Sequence, residues 1–210
     1  MQRRNMQRRE YVAAAGVVLS GSVTGCLVNE ETSDTEELEG YVQPAEDPSV
    51  TPEPFDCPEG WQRVEQQFSE SELAWGEYPQ DDPVYALRVS DTAVRYGETV
   101  TVTHTLVADD PTPTQSPMNY NLQLHTEEGW TEIRGWKGEQ IPYPASEEEK
   151  SPGWQYEREL EMSTAGIDDD TGSLDGMSTC DDLLTGRYRL VWWAVDEADA
   201  GVGVAFDLIE

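Results

Sequence analysis

Between residues 84 and 210, apolar and polar positions alternate with a period of two in short runs separated by turn-forming residues. In "GETVTVTHTLV", Val100, Val102, His104 and Leu106 fall on one side of an extended chain and Thr99, Thr101, Thr103 and Thr105 on the other. This is the pattern of a strand, over Glu98–Val107, with one buried face. Tyr85–Val89 reads as a strand before it. Tyr120–Thr126 and Trp130–Trp136 flank Glu127, Glu128 and Gly129, and the glycine suits a left-handed backbone position, so the two runs predict a β-hairpin. Alternation places Trp130 and Trp136 on one face of their strand. Gln155–Met162 sets Tyr156, Arg158, Leu160 and Met162 against alternating acids. Arg187–Val195 is apolar on both faces, as a central strand is, and Val202–Ile209 ends the series. Helical periodicity is limited to one turn near Glu70–Ala74. About seven strands with little helix predict an all-β fold, an antiparallel β-sandwich.

Ahead of this region the pattern changes twice. The chain opens "MQRRNMQRRE" and continues "YVAAAGVVLSGSVTG", a basic start followed by an uncharged run rich in small residues. That order is the order of an export signal. The run from Tyr11 to Gly25 is about five residues short of the ~20 that a membrane-spanning helix needs. From Cys26 to about residue 55 the chain is acidic and proline-rich, with "NEETSDTEELEG" and "QPAEDPSVTPEPF". Such a stretch buries too little apolar surface to offset its ordering entropy, so it is expected to be an extended tether. The chain thus divides into a signal (1–25), a linker (26–55) and a folded domain (56–210) that begins with an extension (56–83).

Two short motifs define the signal further. "RREYV", with Arg8 and Arg9, resembles a twin-arginine export motif. "VTGC", made of Val23, Thr24, Gly25 and Cys26, resembles the lipobox of lipoprotein precursors. The resemblance implies that Cys26 becomes the first residue of the mature chain and carries lipid on its sulfur. The protein would then be exported and anchored to the outer face of the cytoplasmic membrane.

Charge adds a setting. The chain has 13 Lys+Arg against 43 Asp+Glu, a formal net charge of −30, and only two of its residues, Lys137 and Lys150, are lysine. So many carboxylates with so little lysine resemble the proteins of salt-loving archaea, where concentrated salt screens self-repulsion. An ordinary acidic secreted protein is the alternative. In either setting a nucleic acid is excluded as partner, because one polyanion repels another.

The series "YGETVTVTHTL", "YNLQLHTEEGWTEI", "LLTGRYRLVWW" and "AFDLIE" resembles the bacterial immunoglobulin-like (Big-type) domains of exported proteins, over Val84–Glu210. The resemblance implies a turn at Gly186 and a tyrosine corner at Tyr188. Antibody-type domains have a cysteine two residues after that tyrosine, where this chain has Leu190, so their inter-sheet disulfide is not implied. With Cys26 lipidated, Cys57 and Cys180 remain as an even pair in a non-reducing compartment, and a bond between them is expected to staple the extension to the sandwich. Two buried free thiols are the alternative.

Catalytic motifs are scarce. The sequence has no CxxC pair, HExxH, glycine-rich phosphate loop or GxSxG elbow. Of its two histidines, His104 is expected as a hydrogen-bonded core residue and His125 as a solvated one. "GIDDDTGSLDG" offers Asp168, Asp170 and Asp175 as calcium ligands, but it departs from the EF-hand spacing, and a solvated acidic loop is the simpler reading. Seven tryptophans are many for this length. Trp130, Trp136 and Trp193 are the candidates to stack on sugars or anchor a partner, with core packing as the alternative. Neighbouring Trp192 and Trp193 point to opposite faces. The expectation is a non-catalytic surface protein, without cofactor, that presents its sandwich to an envelope protein or glycan. An extracytoplasmic enzyme, a carbohydrate-binding accessory or a purely structural envelope protein are the alternatives, and oligomeric state is left open.

Overall fold

The computed structural model describes residues 38–48, 50–51, 56–138, 141, 143–144, 147–171, 176–193 and 199–210. Arg8, Arg9, the lipobox residues Val23 to Cys26, and Asp175 lie outside the described residues. The strands are β1 (Gln62–Arg63), β2 (Phe68–Trp75), β3 (Glu77–Tyr78), β4 (Tyr85–Val89), β5 (Ala93–Arg95), β6 (Thr99–Leu106), β7 (Thr112–Gln115), β8 (Tyr120–Thr126), β9 (Gly129–Glu132), β10 (Arg134–Trp136), β11 (Glu147–Lys150), β12 (Gln155–Glu161), β13 (Met177–Thr179), β14 (Gly186–Trp193) and β15 (Asp199–Ile209). One helix, α1, spans Thr164–Thr171.

Two sheets enclose the main core. One has the order β2-β15-β14-β8-β9, with β5 also pairing β15, and the other has the order β12-β6-β4-β3. From the first come Leu122, Leu124, Tyr188, Leu190, Trp192, Val202, Val204 and Phe206; from the second come Leu87, Val89, Val100, Val102, Leu106 and Leu160. All are residues of alternating strands, so burial follows the period-two pattern. The result is an all-β sandwich. Two small sheets, β1-β10-β13 and β11-β7, flank it.

The strands exceed the expected seven because β1, β3, β5, β7, β11 and β13 have two to four residues each, too few for a period to show. Pairing is antiparallel except along β15, which runs parallel to β2 at one end and to β5 at the other. The expected helical turn at Glu70–Ala74 is instead part of β2, because the exposed edge of β15 supplies hydrogen bonds that a lone turn lacks. Helix forms in the acidic stretch instead. Ser163 caps it by accepting the Gly166 N–H at 3.0 Å, and the fully buried Ile167 seats it on the core.

Beside the start of α1, the Tyr188 hydroxyl donates to the Leu184 carbonyl at 2.7 Å, four residues upstream. Gly186 between them has φ +152°, and a Cβ there would come within 2.5 Å of Thr51 Oγ1. This is the geometry of a tyrosine corner.

Part of the segment read as a spacer lies on the domain. Tyr41 and Val89 exchange two backbone hydrogen bonds of 2.8 Å, and Ala205 N–H donates to the Val42 carbonyl at 2.8 Å. Arg187 donates to the Glu46 carbonyl at 2.8 Å, and the Thr51 hydroxyl to the Thr185 carbonyl at 3.1 Å. Acidic side chains do not prevent this docking, because the segment bonds through main-chain groups and the Thr51 hydroxyl.

Candidate functional site

The face of the larger sheet turned away from the apolar core is also covered, yet it is polar. Ladder register sets Glu132 opposite Gln123, Gln123 opposite Arg189, and Arg189 opposite Ala205. Asn121, Gln123, Glu132, Arg187 and Arg189 share this face, and each is at most 5 % exposed. Burying charge is costly unless each group is paired and hydrogen-bonded. Glu132 meets that condition by accepting from Arg134 Nε at 2.7 Å, Asn121 Nδ2 at 2.8 Å and Leu122 N–H at 2.9 Å. Burial works against the charge on Arg134, but Glu132 and Tyr120 beside it, with a smaller part from Tyr143, together hold the guanidinium pKa above its ordinary value. Arg189 donates to Gln123 Oε1 at 2.7 Å and to the Glu70 carboxylate. Arg187 grips Asp207 with two bonds of 2.6 and 2.9 Å.

A second ionic group sits by β12 and α1. Arg158 donates to both oxygens of Asp170, at 2.6 and 2.9 Å, and the Tyr120 phenol donates to the same carboxylate. The Tyr120 ring centre is 4.3 Å from the Arg134 guanidinium and 4.4 Å from that of Arg158.

These contacts engage two of the three calcium candidates, on a helix where a solvated acidic loop was the simpler expectation. Asp168 and Asp170 are two residues apart on α1, so they do not face one another. Asp168 Oδ1 accepts the Thr179 N–H at 2.7 Å and its hydroxyl at 3.0 Å, while Asp170 is held by Arg158 and Tyr120. Both carboxylates serve the fold. Among the described residues, no group of three or more His, Cys, Asp or Glu side chains is arranged to hold a metal.

The histidines also differ from expectation. His104 is in the core, with its ring 4.5 Å from that of Trp192, but its Nδ1 has no hydrogen-bond partner. Burial, helped by the nearby positive Arg158, pushes its pKa down to about 3. His125 is half-buried rather than solvated, its ring 4.9 Å from Trp130, and its Nδ1 is likewise unpaired. Thr51 covers this position by donating its N–H to the His125 carbonyl at 3.2 Å.

The three tryptophan candidates part company. Trp130 and Trp136 do not share a strand face, because the chain changes sheets at Ile133, whose N–H donates to the Leu122 carbonyl at 3.0 Å while its carbonyl accepts from Cys180 N–H at 2.9 Å. Trp130 remains in the large sheet, with its ring centre 4.4 Å from the Arg189 guanidinium. Trp136 enters a small cluster with Val64 and Met177, joined by Ile141 and Tyr143. Trp193 ends β14 half-buried, its ring 4.8 Å from that of Tyr143 in an edge-to-face contact. Tyr143 therefore touches Trp193 and packs on the cluster that contains Trp136, and Trp130 stays apart. Tyr143 had no strand or motif to mark it, since it comes from the connection between β10 and β11.

Cys57 and Cys180 are joined by a disulfide that closes a separation of 123 residues. Gly135 of β10 lies against it, where an added Cβ would come within 3.0 Å of Cys180 Sγ and 3.1 Å of Cys57 Sγ. The bond fastens the start of the folded region beneath the strand that carries Arg134 and Trp136.

No protein family and no curated protein matches the chain.

Proposed function

We propose that this chain is an exported lipoprotein, held at the outer face of the cytoplasmic membrane by lipid on Cys26, that presents an immunoglobulin-like sandwich to an envelope protein or glycan and performs no catalysis. The observation that carries this reading is the Cys57–Cys180 disulfide. Such a bond persists where thiols are not kept reduced, and it leaves the lipobox cysteine as the remaining thiol of the three. The pairing of buried arginines adds support. The four arginines of the two ionic groups are spent inside the fold, which leaves carboxylates in excess on the exterior, a surface suited to concentrated salt.

Mass spectrometry of the protein extracted from membranes is expected to find a mature chain that begins at Cys26 and carries lipid. Cys26→Ser should abolish both the cleavage and the lipid. An unmodified Cys26 in the extracted protein would overturn the anchor. Cross-linking on intact cells in native salt is expected to recover one specific protein or glycan, and recovery of bulk envelope alone would replace presentation with a purely structural role.

A further inference from the structure

We propose that residues 38–48 form a salt-sensitive strap, which ties the two main sheets together in concentrated salt and lifts off as a unit in dilute salt. This goes beyond the presenting role, and it needs neither the lipid anchor nor a ligand.

Neighbouring residues of the strap bond to different sheets. Tyr41 exchanges two main-chain hydrogen bonds of 2.8 Å with Val89 at the end of β4, and the Val42 carbonyl accepts the Ala205 N–H of β15 at 2.8 Å. β4 belongs to the smaller sheet and β15 to the larger, so Tyr41 and Val42 bridge the two. The fit is close. Gly40 has φ +109°, and a Cβ there would come within 2.8 Å of the Val89 carbonyl oxygen. Val42 lies over Gly76, where an added Cβ would meet its Cγ2 at 2.6 Å. Farther along, Arg187 donates to the Glu46 carbonyl at 2.8 Å. Thr51 is the fixed base beyond the strap. It is 8 % exposed, its N–H donates to the His125 carbonyl at 3.2 Å, and its hydroxyl donates to the Thr185 carbonyl at 3.1 Å.

What holds the strap differs from what repels it. Its bonds to the domain use its own main-chain atoms, none of residues 38–48 is buried, and Tyr41 is 55 % exposed. A segment with so few buried apolar contacts opens before the core does. The strap carries Glu39, Glu46 and Asp47 and no basic residue, on a chain of net charge −30. Among the described residues these three carboxylates enter no ion pair. The guanidiniums beside the strap are already engaged, Arg88 by Glu77 and Arg187 by Asp207. Like charge therefore pushes the strap outward with no free base to offset it. The screening length is about 3 Å at 1 M salt and about 10 Å at 0.1 M, so this repulsion reaches across the contact only when salt is dilute. The neutral main-chain bonds change little over the same range. Opening returns residues 38–48 to the linker and bares the Val89 N–H and carbonyl and the Ala205 N–H, edge groups of both sheets.

The test is amide hydrogen exchange of the ¹⁵N-labelled full-length protein at one pH, in about 1 M and about 0.1 M salt. The Tyr41, Val89 and Ala205 amides are expected to lose protection together on dilution, by about tenfold, while the Thr51 and Leu190 amides keep theirs. Glu39→Gln combined with Glu46→Gln and Asp47→Asn should leave the three amides protected in dilute salt, because the main-chain bonds survive and the repulsion does not. Gly40→Ala, which strains one end of the strap, should release Ala205 along with Val89 even in concentrated salt. Three outcomes would each overturn the strap: protection unchanged by dilution, Leu190 losing protection in step with the three amides, or a carboxamide variant that opens like the natural chain. Release of Val89 without Ala205 in Gly40→Ala would show that the segment does not move as a unit, and would overturn it too.

Discussion

The two faces of the β8-β14-β15 sheet are equally dry and chemically opposite. On one, Leu122, Leu124, Leu190, Val204 and Phe206 are each at most 1 % exposed; on the other, Asn121, Gln123 and Arg189 are at most 2 %. The apolar face is held by exclusion of water, which is non-directional and tolerates reshaping at constant volume. The polar face is held only if every partner is present, because one missing partner strands a buried charge. In a chain with 13 basic residues against 43 acidic ones, this second layer also decides where the scarce arginines go. Of the seven arginines among the described residues, Arg134, Arg158, Arg187 and Arg189 go inward, and carboxylates outnumber the basic groups left outside.

The largest effect should come from breaking a pair on the polar face. Arg134→Met leaves the Glu132 carboxylate buried without its ion-pair partner, and denaturant unfolding is expected to show a loss of about 3–5 kcal/mol. The double variant Glu132→Gln with Arg134→Met should recover much of it. On the apolar face, Leu190→Ala should cost about 2–5 kcal/mol, and Leu190→Met under ~1.5. If the double variant is no better than the single one, the charged face behaves like the apolar one and the contrast fails.

A smaller effect is expected from pH at the core histidine. His104 has a folded pKa of about 3 against 6.5 unfolded, so between these values the unfolded chain binds more protons. Stability is fully present above the unfolded pKa and is lost as pH falls below it, by about 2 kcal/mol between pH 7 and pH 5. The check is the difference from His104→Phe at each pH, since the many carboxylates titrate in both proteins. A difference that stays constant over this range would show that His104 takes its proton without cost.

The smallest effect isolates one neutral hydrogen bond at the edge of the apolar face. Tyr188→Phe removes the 2.7 Å bond to Leu184 and leaves the ring packed on Phe206, with ring centres 6.1 Å apart. A loss of about 1 kcal/mol is expected in thermal or denaturant unfolding. A loss as large as that of Arg134→Met would mean that the corner, rather than the ion pair, organises the sheet.

Alternation and turn chemistry made much of the architecture readable from the chain. Val100, Val102, His104 and Leu106 announced their buried face, Gly129 its hairpin and Tyr188 its corner, because each depends on neighbours within a few residues. The charge of the exterior was likewise written in composition. What the chain alone did not reveal depends on partners far away in sequence. Trp130 and Trp136 separate because Ile133 bonds to two different sheets, and Glu70–Ala74 extends because β15 has an open edge. Tyr143 joins Trp193 from an irregular connection that has no period to read. Local patterns encode which face of a strand is turned inward; only the assembled sheets decide what each face meets, and with it which polar atoms are left without a partner.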